Sequence, residues 1–295
     1  MVHDILITAE DLATEQAAGE GGRLRVLDVR WRLDRPDGRP DYLAGHIPGA
    51  VYVDLDTQLA RHGAPREGRH PLPPVQQLQE DARAWGIDDG DTVVVYDDLK
   101  NLSAARAWWL LRYAGVRDVR LLDGGLAAWK AGGLPMETGE PAPPEPGSVT
   151  LHYGSLPVLT IDEAAAFPRG GVLLDARARE RYRGEVEPID SRAGHIPGAV
   201  SAPTTENVDA DGRFLPPERL RARFAALGVE PGVGVAAYCG SGVNAAHEVI
   251  ALALAGFDAA LFPGSWSQWS NDPERPVAVG VDRPTRAAPD AGSRN

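Results

Sequence analysis

The chain has 295 residues, 43% of them hydrophobic and 24% charged, a composition ordinary for a folded protein and a length sufficient for two domains. A formal charge of -12 disfavours nucleic acid as a partner, and a single cysteine, Cys239, excludes an internal disulfide. The longest apolar stretch, near Ile250–Phe257, is too short to span a bilayer.

The start of the chain, Met1-Val-His-Asp-Ile-Leu6, lacks the basic-then-apolar order of a signal peptide, so a cytoplasmic protein is expected. Short apolar, β-branched runs predict strands at Arg25–Val29, Thr92–Tyr96 and Val119–Leu122. Helical spacing runs over Leu78–Gly86 and Ala104–Ala114, with Ser103 as the expected N-cap and Gly115 as the stop. Further along, strands are predicted at Val172–Asp175, Val233–Tyr238 and Ala259–Phe262, and helices at Pro217–Leu227 and Asn244–Ala255. Near-continuous apolar strands alternating with helices predict an α/β fold, a parallel sheet covered on both faces.

The chain repeats itself. Val26-Leu-Asp-Val-Arg30 returns as Leu173-Leu-Asp-Ala-Arg177, and Ala44-Gly-His-Ile-Pro-Gly-Ala-Val51 as Ala193-Gly-His-Ile-Pro-Gly-Ala-Val200. Thr92–Tyr96 corresponds to Gly234–Tyr238, and Leu121–Trp129 to Leu261–Trp269. Matches in one order, spaced by roughly 140 to 150 residues, imply two copies of a whole domain and not a solenoid. The expected division is residues 1–138, a Pro/Gly-rich linker over 139–157, a second domain over 158–281 and a flexible tail over 282–295.

The duplication is an internal control: residues present in both copies are expected to be scaffold, and residues present in one copy are candidates for chemistry. Cys239 belongs to the second class, because the first copy has Asp97 at its position. It follows a predicted strand and opens Gly240-Ser-Gly-Val-Asn244, a glycine-rich turn into a helix. Amides at such a helix start favour the thiolate, the nucleophilic form of the side chain. A small buried residue is the bland alternative. A phosphatase-like site would need an arginine six positions after the cysteine, where Ala245 stands. His46, His62, His70, His152, His195 and His247 have no metal-ligand spacing, so neither metal nor other cofactor is expected.

Together these motifs, with Leu102-Ser-Ala-Ala-Arg-Ala-Trp-Trp-Leu-Leu-Arg112 and Arg181-Tyr-Arg-Gly-Glu185, resemble the tandem-domain rhodanese family of 3-mercaptopyruvate and thiosulfate sulfurtransferases. The resemblance implies two rhodanese-like domains, a non-catalytic first copy and a catalytic second one, with the site between them. It implies that Cys239 takes sulfur from a small anionic donor as a persulfide and passes it to cyanide, a small thiol or thioredoxin. Gly240, Gly242, Val243 and Asn244 would form the amide cradle, and Arg181 would hold the donor's carboxylate. Neutral Gly240 and Ser241 match members that favour 3-mercaptopyruvate; Asp190, where a second arginine is expected, and Asn244, where threonine is usual, depart from the pattern. In that subgroup Ser241 would work with a histidine expected at His46, completed by an aspartate among Asp34, Asp37 and Asp41, of which Asp41 is preferred. A thiosulfate:cyanide sulfurtransferase and a non-catalytic sulfur carrier remain as alternatives.

Overall fold

The computed structural model describes residues 5–19 and 24–281; the expected tail lies outside the described residues. Two all-parallel sheets account for the two copies. The first contains β1 (Leu6–Ile7), β2 (Leu24–Asp28), β3 (Val51–Tyr52), β4 (Thr92–Tyr96) and β5 (Asp118–Leu122), in the order β1-β5-β4-β2-β3. The second contains β6 (Gly171–Asp175), β7 (Val200–Ser201), β8 (Gly234–Tyr238) and β9 (Ala259–Leu261), in the order β7-β6-β8-β9. Its counterpart of β1 is reduced to one parallel bridge, Val158 to Leu261.

The central strands are apolar throughout because both faces are covered: Val93 to Tyr96 and Ala236 to Tyr238 are fully buried. Equivalent registers recur, with Asp28 opposite Tyr96 and Asp175 opposite Tyr238. The repeated residues are scaffold. Arg30 grips the Asp28 carboxylate at 2.6 Å and the Gly45 carbonyl at 2.7 Å; Arg177 grips Asp175 and Gly194 at 2.6 Å each. Each pair thereby ties a strand end to its Gly-His-Ile-Pro-Gly turn, and Tyr96 and Tyr238 accept the turn's Ile47 and Ile196 amides at 3.1 Å.

Helix Ala104–Tyr113 of the first unit packs against helix Asn244–Leu254 of the second, and one hydrophobic cluster runs through both, beside a separate cluster in each. The Pro/Gly-rich stretch is laid along the first unit. Gly147 donates to Arg83, Val149 to Ile87 and His152 to Ala114, and Val149 and Leu151 are buried. Ser103 does not cap its helix: its hydroxyl donates to Trp31 O at 2.9 Å, while Asp97 takes the Ser103 and Ala104 amides. The Asp97 carboxylate outcompetes the serine because it is charged and already lies at the end of the adjoining strand.

No described helix is long and apolar enough to cross a membrane. Between β6 and β8 the strand order reverses direction, β7 lying on one side and β9 on the other. Ligands of such sheets bind beyond the carboxyl ends of the strands at that reversal. Ala176–Ala178 follow β6 there, and Cys239 follows β8.

Candidate active site

Cys239 opens the loop between β8 and helix Asn244–Leu254. Its own amide donates to Ser265 Oγ at 3.1 Å, and its carbonyl accepts from Trp266 N at 2.9 Å, so both sides of its backbone are fixed. The sulfur accepts the Gly242 amide at 3.2 Å. That bond depends on glycine: Gly242 has φ +80°, and a Cβ there would lie 2.4 Å from Pro263 O.

The side chain is only 3% exposed, yet it lines a cavity of about 280 Å³ at the boundary of the two units. The second unit contributes Arg181, Gly240, Ser241, Val243 and Asn244, so the expected loop residues gather around the sulfur; the first contributes Trp31, Leu33 and Arg69. Two larger hollows, of about 620 and 690 Å³, lie against Trp129 and Val229 and contain neither cysteine nor histidine.

Ser241 has a histidine partner, and it is not His46. His70 Nδ1 lies 2.8 Å from Ser241 Oγ, and His70 Nε2 lies 3.2 Å from Asp56 Oδ1. Burial is the largest influence on His70 and pushes it below the usual histidine value, against the opposing pull of Asp56. The Asp56 carboxyl is held below its usual range, chiefly by the His70 bond. Neutral His70 with its proton on Nε2 can donate to Asp56 and accept the Ser241 hydroxyl proton on Nδ1. Trp31 closes on the imidazole edge-on, ring centres 5.2 Å apart.

His46 is instead a fully buried part of its turn. Its Nδ1 contacts Tyr42 O at 2.9 Å and its ring stacks on Tyr42 at 4.0 Å; His195 repeats this with Tyr182 at 2.7 and 3.7 Å. Asp41 pairs with Arg35, Asp37 caps the Arg39 amide, and Asp34 is exposed. None of the three takes part in the Ser241 chain, because their loop turns its carboxylates outward while the 54–72 segment reaches the second unit.

Behind the loop, Arg106 is fully buried and donates to the carbonyls of Leu59, His70 and Gly242 at 3.0 to 3.2 Å. Burial pushes its guanidinium down to about 10. It fixes His70 and the Cys239 loop at once, and brings a positive charge within Coulombic reach of Cys239. In the sequence it stands out only as a member of the Leu102–Arg112 motif.

At the cavity mouth Arg181 is already engaged, by Glu187 at 2.7 Å and Asp190 at 3.0 Å. Among the described residues no group of three or more His, Cys, Asp or Glu could hold a metal ion.

A Rhodanese-like domain matches the chain twice, over residues 8–132 and 160–272. The chain belongs to the rhodanese family. A Mycobacterium tuberculosis protein with the provisional name thiosulfate sulfurtransferase SseB is 50% identical over 94% of this chain and 98% of its own. A Pseudomonas aeruginosa protein provisionally named 3-mercaptopyruvate sulfurtransferase is 49% identical over 93% and 98%. The crystal structure of SseA from Escherichia coli, presented as the rhodanese fold of 3-mercaptopyruvate sulfotransferases, superposes with a TM-score of 0.79 at 32% identity, covering 89% of this chain and 99% of that one. The tandem rhodanese architecture and sulfurtransferase class expected from the sequence are both found.

Proposed function

We propose that this rhodanese-family enzyme moves sulfur from 3-mercaptopyruvate to a thiophilic acceptor through a persulfide on Cys239. The observation that carries the donor choice is Ser241, set between the cavity and the His70–Asp56 pair. Thiolate attack forms an S–S bond and breaks the donor's C–S bond, leaving an enolate that must gain a proton. The donor's own thiol proton supplies it, passed through Ser241 and His70. Cys–S⁻ and the mercaptopyruvate anion thus become Cys–S–S⁻ and pyruvate, with no net proton or electron consumed. The Gly242 amide and the Arg106 charge favour the anionic sulfur before and after transfer.

In this reading the first unit carries no nucleophile but supplies His70 and Asp56, Arg181 holds the donor's anionic group, and the acceptor is cyanide, a small thiol or thioredoxin in the cytoplasm. A lone cysteine that needs no oxidising compartment supports that location.

Thiosulfate is the second reading. Its sulfite leaves without needing a proton, so the relay would be idle; Arg69 beside Arg181 favours a doubly charged donor. Steady-state kinetics with both donors, on the wild type and Ser241→Ala, separates them. A relay-dependent mercaptopyruvate enzyme loses roughly 100-fold in turnover of that donor and little with thiosulfate. Preference for thiosulfate with no effect of Ser241→Ala would reverse the assignment.

A further inference from the structure

Arg69 stands just ahead of His70 in the first unit, yet it lines the cavity of the second. Its amide donates to Ser267 Oγ at 3.0 Å, so the main chain fixes it to the catalytic unit independently of its charge. Its guanidinium, 28% exposed, pairs with Asp190, which is almost fully buried. The other Asp190 oxygen accepts from Arg181 Nη2 at 3.0 Å. Two guanidinium groups from two units therefore meet on one carboxylate.

Both also converge on Gly240, the residue after the nucleophile. A Cβ at that position would lie 3.1 Å from Arg69 Nη2, and 3.6 and 3.9 Å from the terminal nitrogens of Arg181. Arg69 Nε is buried without a hydrogen-bond partner, an unused donor beside the sulfur's loop. Glu187 is already shared by Arg177 and Arg181, whereas burial holds the Asp190 carboxyl above its usual range in spite of its two arginines. Burial disfavours the Asp190 anion, so the anionic oxygens of a substrate compete with it for the two guanidinium groups.

The geometry points to Arg69 as a second donor-binding and specificity-determining residue, closing with Arg181 a cross-domain clamp on the carboxylate or sulfonate oxygens of the sulfur donor, with Asp190 the counter-ion the donor displaces. This rests on the reading of Cys239 as the sulfur acceptor.

The test separates the two half-reactions. Single-turnover loading of Cys239 with thiosulfate and with 3-mercaptopyruvate is compared for wild type, Arg69→Gln and Arg69→Lys, followed by discharge of the loaded enzymes to dithiothreitol. Arg69→Gln should raise the half-saturating donor concentration about tenfold, more for the thiosulfate dianion, with limiting rate and discharge within about twofold of wild type. Arg69→Lys should restore part of the loss, because it returns the charge without the fork. Unchanged concentration dependence in Arg69→Gln, or loading and discharge slowed together as by a structural defect, would overturn the assignment. A wild type that takes up no sulfur would overturn this inference and the Cys239 reading beneath it; a wild type that loads beside an unaltered Arg69→Gln would overturn the Arg69 assignment alone.

Discussion

Asp97 and Cys239 occupy the same place in two copies of one fold. Each follows the strand at the middle of its sheet, and each accepts a helix-start amide on its carbonyl at 2.9 Å, from Leu126 and Trp266 respectively. In the first copy a carboxylate fills the cradle: Leu99, Asn101, Ser103 and Ala104 donate their amides to Asp97 at 2.7 to 2.9 Å. Where one unit keeps a carboxyl group, pushed up to about 6 by its burial, the other keeps a thiol.

Asp97→Ala should therefore destabilise the protein, since it leaves four amides, three of them buried, without their acceptor. A loss of about 2–4 kcal/mol is expected in denaturant unfolding. An unchanged midpoint would mean that the cradle refills or relaxes at no cost.

The relay makes a sharper claim. His70→Gln and Asp56→Asn should depress mercaptopyruvate turnover as Ser241→Ala does, whereas His46→Gln should lower thermal stability and spare the chemical step. Because burial holds His70 below its usual value of 6.5, the wild-type activity plateau should extend below that pH. A His46→Gln variant with normal stability and lost turnover would restore the histidine expected from the sequence.

That expectation failed for a legible reason. The repeat, the alternation of strands and helices, and the thiol loop could all be read, because they rest on local pattern and on self-similarity. The 54–72 segment has little regular structure, and its function depends on crossing to the other unit, which periodicity does not encode. Yet the copy comparison held the signal. His46 has a twin in His195, while Gly68-Arg69-His70 aligns with Gly212-Arg213-Phe214, and Asp56 aligns with Thr205. The histidine and aspartate present in one copy only are the pair beside Ser241. β1 and the Val158 bridge were invisible because two residues or one leave no alternation to detect.

Arg106→Met, which keeps the bulk of the side chain and removes its charge, should slow alkylation of Cys239 by iodoacetamide at neutral pH. Arg106→Lys should recover much of that rate. Equal alkylation rates in all three proteins would confine Arg106 to packing.

A second buried histidine gives a pH signature. His247, stacked on Phe214 and bonded to Thr204 at 2.8 Å, is driven by burial down to about 3. Its folded value lies below its unfolded value, so the stability it contributes is full above 6.5 and lost as pH falls toward 3. Relative to His247→Leu, the wild type should lose about 1.4 kcal/mol per pH unit across that window. A pH-independent difference between the two would show that His247 titrates normally.

The central claim is that Cys239 carries the transferred sulfur, and intact-protein mass spectrometry with peptide mapping after donor treatment reads it directly. One added sulfur atom should appear on Cys239, disappear on exposure to cyanide, and be absent from a folded Cys239→Ser variant. Sulfur found on no residue with either donor, or equally on Cys239→Ser, would contradict it.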